Sequence, residues 1–77
     1  MKYEFYRQYI LFKANGANIH RINGLLSIVV NGIPNYLHYN RRGDRKKVDE
    51  IETMVNEALR EIGEMTGVFI EIKDFVD

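Results

Sequence analysis

Three Asn-Gly dipeptides fall at an even spacing of eight residues: Asn15-Gly16, Asn23-Gly24 and Asn31-Gly32. Asn-Gly between apolar runs is the strongest short-range hairpin signal, because both residues tolerate the positive φ of a type I′ turn. Read this way, the dipeptides divide the first half into four strands: Tyr3 to Ala14, Ala17 to Ile22, Leu25 to Val30, and Ile33 to Asn40. The middle dipeptide also allows one long bent strand from Ile19 to Val30, with Gly24 at a bulge. Pro34 has no N–H to give a ladder, so the strand after Gly32 lies at an edge or begins there.

The second half changes period. From Asp44 to Met65 the apolar residues Val48, Ile51, Met54, Val55, Ala58, Leu59, Ile62 and Met65 trace one stripe at period 3.6. Asp44 is a natural N-cap, and Gly67 stands where a helix-ending left-handed residue belongs. Val68 to Lys73 then has strand character, with Val68, Ile70 and Ile72 sharing a face, which predicts a last short strand over 68–73. The expected fold is α+β: a small antiparallel β-meander of three or four strands, one amphipathic helix on one sheet face, and a final short strand, all within a single domain of residues 1–77.

That fold leaves a face bare. The first strand is apolar on both sides, with Phe5, Tyr9 and Leu11 alternating with Tyr6, Ile10 and Phe12. Residues 25–30 are equally apolar, whereas a solvent-washed antiparallel sheet shows clean alternation. A domain of 77 residues has a small core, and with no cysteine it cannot add disulfides. Two histidines, His20 and His38, do not make a structural zinc site. Self-association is the compensation left, so a homodimer is expected.

The formal net charge of zero conceals a split. Residues 1–47 hold nine basic and two acidic residues, and residues 48–77 hold two basic and nine acidic ones. Five cations, Arg41, Arg42, Arg45, Lys46 and Lys47, crowd the predicted helix start, where the helix dipole already carries positive charge. With the free N–H groups of that end they form an arrangement suited to an anion such as phosphate. Tyr36, His38 and Tyr39 precede the cluster, and Tyr36 and His38 would share a strand face beside it. Aromatic rings next to cations suit stacking against single-stranded nucleic acid. The bland reading is a solvated loop paired with nearby acids.

No catalytic residues, cofactor or metal site are expected. Ser27 is the sole serine and sits in an apolar run, and no phosphate-binding glycine loop or metal-ligand spacing is present. The tripeptide Arg42-Gly43-Asp44 is accounted for by a loop glycine and a helix cap. No run approaches the roughly 20 apolar residues of a membrane span, the start is no signal peptide, and the expected location is the cytoplasm. The expectation is a small non-enzymatic regulatory or inhibitory protein that docks on a protein or nucleoprotein target. Architectural analogy adds the phage- or mobile-element-type inhibitor of a host defence or nucleic-acid system. The alternative is an RNA or single-stranded nucleic-acid-binding protein using its basic half. A small-molecule binder or enzyme stands third.

Overall fold

The computed structural model describes residues 2–76, and among them there is no strand. Four helices follow one another: α1 (Lys2–Lys13), α2 (Ile19–Arg42), α3 (Arg45–Thr66) and α4 (Ile72–Val76). The expected β-meander is thus overturned. All four of its strands, and the single bent strand allowed over 19–30, fall within α1, α2 and the turn between them. The helix expected from Asp44 is present as α3.

The reason lies in α2. Its buried residues Ile22, Leu25, Leu26, Val29, Gly32, Ile33 and Tyr36 recur at three- and four-residue intervals, one stripe of a single helix. Taken as strands, the same residues split over two faces, which is why the sheet lacked a cover. No Asn-Gly pair adopts a type I′ turn, since the only positive φ values among the described residues are those of Gly43 and Gly67. Asn15 instead starts the coil that leads into α2: its Oδ1 accepts from Ala17 N at 3.0 Å and Asn18 N at 3.1 Å. Gly24 faces open space inside α2. Gly32 marks the close approach of α2 to α3, where a Cβ would collide with the Val55 side chain. Pro34 removes one bond from the helix interior, and nearby the Asn35 amide donates to the Asn31 carbonyl at 3.3 Å.

α2 and α3 form an antiparallel hairpin joined by Gly43 and Asp44. The Gly43 N–H donates to Asn40 O at 3.2 Å and the Asp44 N–H to Tyr39 O at 3.0 Å, the paired bonds of a Schellman stop. Asp44 then caps α3 by accepting from Lys47 N at 3.2 Å. At the open end Arg21 clasps Glu61 with two bonds of 2.5 and 2.9 Å, and this guanidinium holds the Glu61 carboxyl below its ordinary range.

α1 and α4 lie on the hairpin from its middle to that open end. The Tyr3 hydroxyl approaches Leu26 O at 3.5 Å, and burial raises its pKa. The Phe75 ring meets Tyr3 and Tyr6 at 6.0 and 5.2 Å between centroids. Ile72 N donates to Asn56 Oδ1 at 2.8 Å, which fixes the start of α4 on α3. The strand expected over 68–73 is a non-helical strap running into α4. Its alternation is real, with Val68, Ile70 and Ile72 buried. It has no neighbouring strand, and Phe69 lies over Gly63 instead. Ile10, Ile22, Val29, Val55, Leu59, Ile62 and Ile72 are the most deeply buried side chains, so every helix supplies the core.

Candidate functional site

The basic cluster gathers at the turn end of the hairpin. Arg41 and Arg42 close α2, and Arg45, Lys46 and Lys47 open α3, all exposed. Val48 and Tyr36 are the buried residues nearest the turn, so beyond them the molecule is two helix ends carrying cations. Lys47 reaches Glu50 at 4.0 Å. No carboxylate among the described residues pairs with Arg41, Arg42, Arg45 or Lys46.

The electrostatics differ from the sequence expectation in one respect. The positive end of α3 lies beside the negative end of α2, so the two half-charges oppose each other. The Lys47 N–H is taken by Asp44, and the Arg45 N–H donates to Gly43 O at 3.0 Å. The site's attraction for anions therefore comes from side chains, and hardly from helix-end N–H groups.

The aromatic platform is dispersed. Tyr36 and His38 do not share a face, because two residues turn a helix through about 200°. Tyr36 is 8% exposed and belongs to the core, while His38 is exposed. Tyr39 is half-buried, with its ring edge-on to His38 at 5.0 Å. The arrangement can bind anionic oxygens, with three arginines able to give paired N–H bonds. It offers little ring surface on which to stack bases.

Two features escaped the sequence reading. Phe5, Tyr9 and Phe12 stand at i, i+4 and i+7 on the outer face of α1, with exposures of 69, 46 and 82%. As strand residues they were divided between two faces. The second is an open groove of about 340 Å³ lined by Asn56, Arg60, Phe69, Ile70, Glu71 and Asp74. It exists only because the strap and α4 fold onto α3, which no local pattern reveals. Among the described residues no group of histidines and carboxylates is placed to hold a metal ion, and no helix is long and apolar enough to cross a membrane. No protein-family model, curated protein or solved structure matches the chain.

Proposed function

We propose that this chain is a small non-enzymatic protein that docks on a polyanionic macromolecule through the tip of its helical hairpin. The observation that supports the reading is four cations, Arg41, Arg42, Arg45 and Lys46, with no carboxylate partner among the described residues. Among the described residues these four stay unpaired although the acids of α3 lie within a turn or two. Docking is tested by titrating the protein against polyanions at 50 and 200 mM salt, beside the variant Arg41→Glu/Arg42→Glu. Neutralising about four phosphates implies a loss of affinity of roughly 50- to 150-fold over that range. Binding that ignores salt, or that the variant keeps, removes the tip from consideration.

The second reading is a regulator that docks on a protein, and the outward face of α1 favours it. Three aromatic side chains in line expose roughly 400 Å² of apolar surface, a size typical of interaction patches. The sheet behind the analogy with mobile-element inhibitors is absent, so this reading rests on α1 alone. A second copy is the occupant expected from the small core, and sedimentation near 100 µM decides it. A dimer that Phe5→Ser/Phe12→Ser converts to monomer assigns the face to self-association. A wild-type monomer discards the homodimer.

A further inference from the structure

We propose that the macromolecule received at the tip is a nucleic-acid duplex, held end-on by its phosphate backbone and without regard to sequence. The inference rests on the tip reading above and names its ligand. Three observations carry it.

The first is the dispersal of the aromatic platform. Single strands are bound by stacking bases on exposed rings, yet Tyr36 is in the core and Tyr39 is half-buried against His38. His38 is the one fully exposed ring of the three; the rest of the tip is charge, and charge addresses phosphate. The second is width. Two helices side by side measure about 20 Å across, whereas the major groove of B-DNA is about 12 Å wide and takes one helix. Set across the groove, the paired ends are too broad to enter it and rest on its rims, where the backbone oxygens are. The third is the distribution of acids. Asp49, Glu50 and Glu52 follow directly behind the cations on α3, with Glu57 one turn further. Laid lengthwise on its α3 side, the hairpin would press these carboxylates toward phosphates. The end-on pose brings the cations of both helices into contact and keeps the acids away. The footprint is then small, a few phosphates on either side of one groove. The three arginines supply planar forks for bidentate contacts, and Lys46 adds a point charge.

The test uses fluorescently labelled 20-bp duplex DNA and 20-bp duplex RNA of two unrelated sequences. Their separated single strands and poly-glutamate complete the panel, all titrated in 50 mM salt. The expected result is at least tenfold tighter binding of duplex than of single strand, with both sequences of a duplex bound equally. The logarithmic salt slope should lie near −3 to −4 for about four phosphates. Arg41→Glu/Arg42→Glu should weaken duplex binding at least tenfold with an unchanged circular dichroism spectrum, and Lys73→Glu on α4 should not. If charge reversal disturbs folding, Arg41→Gln/Arg42→Gln replaces it. Single strands bound as tightly as duplex overturn the duplex assignment and keep the tip. Tight binding of poly-glutamate with none of duplex replaces nucleic acid by an acidic protein surface. Duplex binding that survives the tip variants overturns both readings. Whether DNA or RNA is the source follows from which duplex binds more tightly.

Discussion

Two glycines in one helix carry opposite consequences. Gly24 faces open space in α2, so a methyl group there costs no contact and removes backbone freedom from the unfolded chain. Gly24→Ala should stabilise the fold by about 0.5–1 kcal/mol. Gly32 receives the Val55 side chain, and a Cβ there must push α3 away or drive Val55 from its rotamer. Gly32→Ala should destabilise by about 1–3 kcal/mol despite its better helix propensity. The double variant Gly32→Ala/Val55→Ala should recover part of that loss, the sign of direct contact. Urea denaturation of the four proteins checks all of this, and a stabilised Gly32→Ala would mean that the helices do not approach there.

At the scale of elements, the two long helices show what was readable in the chain. α3 was legible because its apolar period, its Asp44 cap and its terminal Gly67 point the same way. α2 carries an equally regular stripe, with a proline and two Asn-Gly pairs written across it. Two interior glycines and one proline cost a helix about 5 kcal/mol together. Six apolar side chains on one buried face contribute about 1.5–3 kcal/mol each. Tertiary burial outweighs local preference here. The excess of apolar residues on both faces of the supposed strands was already the signature of period 3.6. The candidate site divides likewise. The cations at 41–47 are neighbours in sequence and remain so in any fold, whereas pairing Tyr36 with His38 depended on the period assumed. α4 and the groove beside it depend on long-range packing and left no local trace. Pro34 yields the test at this scale. It is exposed, and Pro34→Ala restores a backbone bond, so the variant should gain about 1–3 kcal/mol. Thermal denaturation followed at the helix band measures it, and no gain would show that α2 bends at Pro34 to suit its packing.

For the whole molecule, the net charge of zero is the sum of unlike regions. Cations gather at the turn end of a body 40 Å long, and a block of acids sits just behind them on α3. Such a body orients before it touches a charged partner, since its tip and the stretch of α3 behind it feel opposite forces. Below the acids, Arg21 and Glu61 tie the open end of the hairpin, and α1 and α4 pack over that half. The same distribution separates binding from stability. Residues 41, 42, 45 and 46 are exposed, so affinity there can change without loss of the fold.

The ring contact between Tyr3 and Phe75 has a consequence for the order in which the chain assembles. Residues flanking Gly43 and Asp44 are neighbours along the chain, so the hairpin can zip outward from its turn at small loop cost. Joining residue 3 to residue 75 closes nearly the whole described length, and the entropy of closing a loop rises with its logarithm. The clasp is expected to form after the barrier has been crossed. Val48→Ala, beside the turn, should then mainly slow refolding, and Phe75→Ala should mainly hasten unfolding. Stopped-flow chevrons of the two variants distinguish early from late contacts, and the reverse pattern would place the nucleus at the joined ends.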